Sequence, residues 1–115
     1  MQVPKPTDAD KARFRSLVPE APGVEVKPMF GNLGGFVNGN MFMGLFGPDI
    51  GVKLGPAEIE ELRAVDGTRP FGPPERPMAG WVTLAPGQLG MADGTAWIAR
   101  ALAHVRTLPP KKVKG

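Results

Sequence analysis

"MFGNLGGFVNGNMF", residues 29–42, sets four glycines and three phenylalanines in fourteen positions. Two readings compete for it: a glycine-rich loop wrapped around a phosphate, or β-structure in which glycine relieves crowding. A phosphate loop follows G-x-x-x-x-G-K-[ST], and a dinucleotide-binding turn follows G-x-G-x-x-G at the start of a helix. Here the glycines run G-x-x-G-G from Gly31, no Lys-Ser or Lys-Thr pair follows, and the next segment has the pattern of a strand. No helix N-terminus is placed to hold an anion. Asn38-Gly39 is instead a strong hairpin signal, because a type I′ turn needs positive φ at both central positions.

A two-residue turn at Asn38-Gly39 predicts a register. Val37 faces Asn40, Phe36 faces Met41, Gly35 faces Phe42, Gly34 faces Met43 and Leu33 faces Gly44. Gly34, Gly35 and Gly44 then each receive a large side chain from the strand opposite, so the glycines are expected to build architecture. The same register places Phe36, Met41, Met43 and Leu45 on one face and Leu33, Val37, Phe42 and Phe46 on the other. Both faces are apolar, whereas an antiparallel sheet covered on one side is normally polar on the other. A second cover is expected: helices on both faces, a strongly curled sheet, or a partner surface such as a second copy of the chain.

Outward from this hairpin, helical and strand periods alternate with clear punctuation. Thr7 caps a first helix with Asp10 three residues on, and Phe14, Leu17 and Val18 share one face before Pro19 ends it. "GVEVKPMF", residues 23–30, alternates as a half-buried strand with an edge-tolerant Pro28. Gly31 supplies a turn before the hairpin. "DIGVKL" follows as a fourth strand, with Ile50, Val52 and Leu54 on one face and Lys53 on the other. Pro56 and three glutamates open a short second helix whose Ile59 and Leu62 point inward. A proline-rich loop covers residues 67–77, and a fifth strand lies around Trp81 to Leu84. The last helix opens at Asp93 or Thr95, aligns Trp97, Ile98, Ala101, Leu102, Val105 and Leu108, and closes at Pro109. This order predicts an α+β fold: a central antiparallel sheet of about five strands flanked by N- and C-terminal helices. One domain is expected over residues 1–108, followed by a basic flexible tail, 109–115.

The chain's 115 residues are 42% apolar, enough for a core. Its net charge of +3 comes from the tail: without Lys111, Lys112 and Lys114, 11 basic residues meet 11 acidic ones. That distribution argues against direct nucleic-acid binding by the folded part. There is no cysteine, which removes disulfides and thiolate metal sites. The N-terminus lacks the apolar stretch of a signal peptide and no segment is long enough to span a bilayer, so a cytoplasmic location and no membrane partner are expected.

Four blocks, "KPMFGNLGGFVNGNMFMGLF", "IGVKL", "RPFGPPERPMAGWVTLAP" and "WIARALAHV", resemble the TfoX (Sxy) N-terminal domain family over residues 10–106. Met29, Phe30, Gly31, Gly35, Gly39, Met41, Phe42 and Lys53 match its pattern, as do Met78, Trp97 and Ala101; Asn32 stands where a second glycine is usual. The resemblance implies a secretion-chaperone-like α+β fold and kinship with bacterial competence regulators, which act in transcriptional control alongside a cyclic-AMP receptor protein. It implies no catalysis. Those regulators carry a further helical C-terminal domain, and the chain looks like a stand-alone member without it.

Candidate chemistry in the residues themselves is sparse. His104, the sole histidine, lies at the edge of the last helix's apolar arc, and Ser16, the sole serine, is far from it in sequence. Asp49, Asp66, Asp93 and Glu75 sit at turns and caps. No catalytic residue, metal site or cofactor is expected. Lys53 is the one charge within a probable inner strand. Arg69 and Arg76 flank the proline-rich loop and offer, with Lys53, an anion or partner contact. The leading expectation is a non-enzymatic regulatory or protein-interaction domain working through a protein partner or as a homodimer. A small-ligand-binding protein using the sheet surface and Lys53 is the alternative.

Overall fold

The chain reverses at Asn38-Gly39 with φ of +52° and +81°, the positive pair that a two-residue turn demands. The computed structural model describes residues 5–29, 31–72, 75, 78–89 and 92–110. Helix α1 spans Asp8–Leu17, and the Thr7–Asp10 capping box closes it reciprocally, with bonds of 3.0 and 2.9 Å. Strands β1 (Val24–Met29), β2 (Asn32–Val37), β3 (Asn40–Phe46) and β4 (Asp49–Lys53) follow as a meander. Helix α2 (Pro56–Arg63), strands β5 (Arg69–Pro70) and β6 (Trp81–Thr83), a 3-10 turn at Pro86–Gln88 and helix α3 (Ala92–Arg106) complete the described residues. Every strand pair is antiparallel, and the sheet order is β1-β2-β3-β4-β6-β5.

The expected α+β class holds, with six strands in place of five. The additional strand, β5, lies in the proline-rich loop. It is too short to show a period, and its Pro70 is tolerated because the strand sits at the sheet edge. The last helix also opens earlier, at Ala92.

The expected register fails beyond Phe36. Val37 pairs with Asn40 and Phe36 with Met41, but Gly35 then pairs with Met43 and Gly34 with Gly44. Phe42 is the extra residue of a β-bulge, and bulges place two successive side chains of one strand on nearly the same side. Phe42 and Met43 are therefore both fully buried in one core. The two faces are corrected accordingly. The inner face carries Leu33, Gly35, Val37, Phe42, Met43 and Leu45. The outer face carries Gly34, Phe36, Met41, Gly44 and Phe46. A hairpin turn fixes only the first rungs, and a bulge leaves no local signature in the sequence.

Helices α1 and α3 cover the inner face, where Phe14, Trp97, Ile98, Ala101, Leu102 and Val105 meet Ile50, Val52, Leu54 and Val82. Ile59 and Leu62 turn α2 into the same core. Arg100 ties α3 to α2: it donates to Glu61 at 2.8 Å, lies 3.9 Å from Glu58 and stacks over the Trp97 ring at 4.4 Å. The Glu61 hydrogen bond pushes the guanidinium pKa further up, which leaves its charge fixed.

Two polar contacts hold the turns. Asn32 is buried and its Oδ1 accepts from Gly47 N–H at 2.8 Å, joining the β1–β2 and β3–β4 turns. Gln88 is buried too; its Oε1 accepts from Ala85 N–H and its Nε2 donates to Asp93, both at 2.8 Å. The Gln88 carbonyl oxygen then presses on Gly94 so closely that a Cβ there would overlap it. Asn32→Ala should cost about 1–3 kcal/mol, because a buried N–H loses its acceptor. Gly94→Ala would gain about 1 kcal/mol from helix propensity alone, but the overlap is with backbone that cannot rotate away, so overpacking of about 1–3 kcal/mol or more should win. Urea denaturation should show lower midpoints for both variants.

Candidate functional site

Across the outer face, Gly34, Gly44 and Gly51 stand on one rung of three neighbouring strands, β2, β3 and β4. Three missing side chains in a row leave a trough of bare backbone. Phe71, on the proline-rich loop, fills it. A Cβ at Gly51 would overlap the Phe71 ring, and one at Gly44 would sit 3.3 Å from Phe71 Cζ. At the other end, a Cβ at Gly34 would lie 2.8 Å from both Met41 Sδ and Phe36 Cε1. Phe71 stacks on Trp81 with centroids 5.3 Å apart and meets Phe46 edge-on at 6.2 Å.

The loop is tied down around that ring. Met78 N–H donates to the Phe71 carbonyl at 2.9 Å, and Thr83 Oγ1 donates to the Pro70 carbonyl at 3.0 Å. Arg69 forks onto Asp49 through bonds of 2.7 and 3.4 Å. Part of the outer face is thus covered by Phe71 of the same chain, where helices on both faces, a curled sheet or a partner surface were expected. Sequence reasoning singled out neither Phe71 nor Gly51. The common rung of small residues on β2, β3 and β4 would have pointed to them, but it forms only through the bulge.

The family-pattern residues are distributed through this frame. Gly31 and Gly39 adopt φ of +82° and +81°. Gly35 faces Met43, whose Cγ would be 2.8 Å from a Cβ there. Met41 lies over Gly34, Phe42 fills the bulge, and Met29 pairs with Asn32 at the end of β1. Phe30 lies outside the described residues. Gly34 and Gly44, expected to face Met43 and Leu33, face each other and are covered by Met41 and Phe71 instead.

Lys53 is half-buried on the outward side of β4, opposite Trp81. Among the described residues no carboxylate lies within ion-pair distance of it. Arg69 is matched by Asp49, and Arg76 lies outside the described residues. Ser16 Oγ donates to the Arg13 carbonyl at 2.7 Å, and the half-buried His104 rests its ring against Gly55. Among the described residues no group of three or more His, Asp or Glu side chains could hold a metal ion, and no helix is long and apolar enough to cross a membrane.

Among the described residues, the edge strand β1 is largely exposed. Val26 is 37% exposed there, and Lys27 pairs with Glu25 at 3.4 Å and lies 5.5 Å above the Phe36 ring. On the inner side of the edge an open groove of about 690 Å³ runs between the end of α1 and β1, lined by Arg15, Val18, Glu20, Ala21, Val24 and Val26 among others.

Comparison with known protein families matches residues 16–105 to the TfoX N-terminal domain. No curated protein and no solved structure matches the chain. The matched span runs from the end of α1 to the end of α3 and contains the bulge, the glycine row and the loop that covers it. The chain belongs to the TfoX N-terminal domain family.

Proposed function

We propose that this domain is a non-enzymatic regulatory module of the competence-regulator type that acts by protein contact and pairs with a second copy of itself. The observation that carries the reading is where its polar side chains go. Asp10 caps α1, Asp49 holds Arg69, Asp93 holds Gln88, Glu61 holds Arg100 and Asn32 holds the Gly47 turn. These five side chains are engaged in keeping the fold. At the edge strand β1, exposed Val26 stands beside the exposed charges of Glu25 and Lys27, the kind of mixed surface that other chains dock on.

A second reading, a binder of a small anionic ligand, draws on Lys53: a cation beside Trp81 with no carboxylate partner among the described residues. Thermal-shift screening against anionic compounds separates the two. A true ligand at a hundredfold excess over its Kd should add about 2.7 kcal/mol of stability, and Lys53→Ala should abolish the gain.

Sedimentation equilibrium tests the leading reading. Raising the concentration should shift the mass from 12.2 kDa toward twice that value. A fixed 12.2 kDa mass at every concentration would contradict self-pairing.

A further inference from the structure

The sheet has two edges, and they differ. β5 has two residues, one of them proline, and so offers little to another strand. β1 has six residues, most of them exposed. The two-residue connection between Met29 and Asn32 fixes which way each β1 backbone group points. Glu25, Lys27 and Met29 turn their N–H and C=O groups toward β2, whereas Val24, Val26 and Pro28 turn theirs outward. Of those three, Val24 N–H is already bonded to the Ala21 carbonyl at 3.2 Å, and Pro28 has no N–H. The outward donor that remains is Val26 N–H, at the middle of the strand.

That layout is self-complementary. An antiparallel copy of β1 centred on Val26 exchanges a reciprocal pair of N–H···O=C bonds between the two Val26 residues, and it asks nothing of Val24 N–H or Pro28. It also sets Glu25 opposite the second copy's Lys27, and Lys27 opposite its Glu25. Both side chains are available, with relative exposures of 65% and 48%. A random partner strand would satisfy the Val26 bonds but not this charge pattern. On the inner side, the groove beside Val26 carries one cation, Arg15, and one anion, Glu20, among apolar residues, a balanced surface for its own copy.

We infer that two copies join edge to edge through β1, about a two-fold axis at Val26, giving one sheet continuous across the pair. This rests on the self-pairing reading above and names its surface. Pro28 and the tied Val24 keep the contact short, and the minimal β5 edge prevents growth at the far side, so the assembly closes at two.

The test is a charge-swap series by sedimentation equilibrium on the full chain: wild type, E25K, K27E, the double variant E25K/K27E, and an equimolar mixture of the two single variants. Both positions are exposed, so the variants should fold, which circular dichroism checks. Each single variant puts like charges opposite each other at both symmetric contacts and should weaken self-association about tenfold or more. The double variant restores complementarity and should recover the dimer. The mixture should form a heterodimer as well as the wild type forms a homodimer. A wild-type dimer that is indifferent to both single variants would overturn the β1 surface and leave self-pairing standing. A wild type that stays monomeric would overturn both.

Discussion

Phe71 rests on backbone. Its ring covers the place where Gly44 and Gly51 lack side chains, so closely that a Cβ on Gly51 would occupy the ring's own volume. Burying a phenylalanine contributes about 1.5–3 kcal/mol, but the larger consequence is positional. Seating the ring in the trough fixes where the chain at Phe71 meets the outer face. The Arg69–Asp49 fork and the Thr83–Pro70 bond then fall into place beside it. A sheet with two apolar faces is thereby covered by helices on one side and, on the other, by one ring with Met41 and Phe36 alongside.

The bulge at Phe42 sets up this arrangement. One extra residue in β3 shifts the partner of Gly34 from Met43 to Gly44 and brings Gly34 and Gly44 onto a single rung with Gly51. Without it, Met43 would point into the trough and the core would lose one of its fully buried side chains. A local irregularity in one strand thus decides the packing of both faces.

Much of the frame could be read from the residues. The Thr7–Asp10 cap, the Asn38-Gly39 turn, the inward set Ile50, Val52 and Leu54, and the apolar arc of α3 all follow from local rules, and the structure reproduces them. What could not be read depends on contacts between segments distant in sequence. Nothing around Phe42 announces a bulge. Nothing in "RPFGPPERP" separates Phe71 from the other loop residues until β4 supplies Gly51 beneath it. The buried roles of Asn32 and Gln88 likewise arise from turns brought together by the fold. The candidate surface was half legible: alternation of Val24, Glu25, Val26 and Lys27 marks a strand with one charged face, while its position at the open edge needs the topology.

The packing of the outer face depends most on the seating of Phe71, and proton NMR addresses it directly. Ring currents from a phenyl group lying on Gly44 and Gly51 should move their Cα protons well upfield, with nuclear Overhauser cross-peaks to the Phe71 ring protons. Ordinary glycine shifts at both positions, with no cross-peak to Phe71, would show the trough empty and contradict the packing on which the outer face is built.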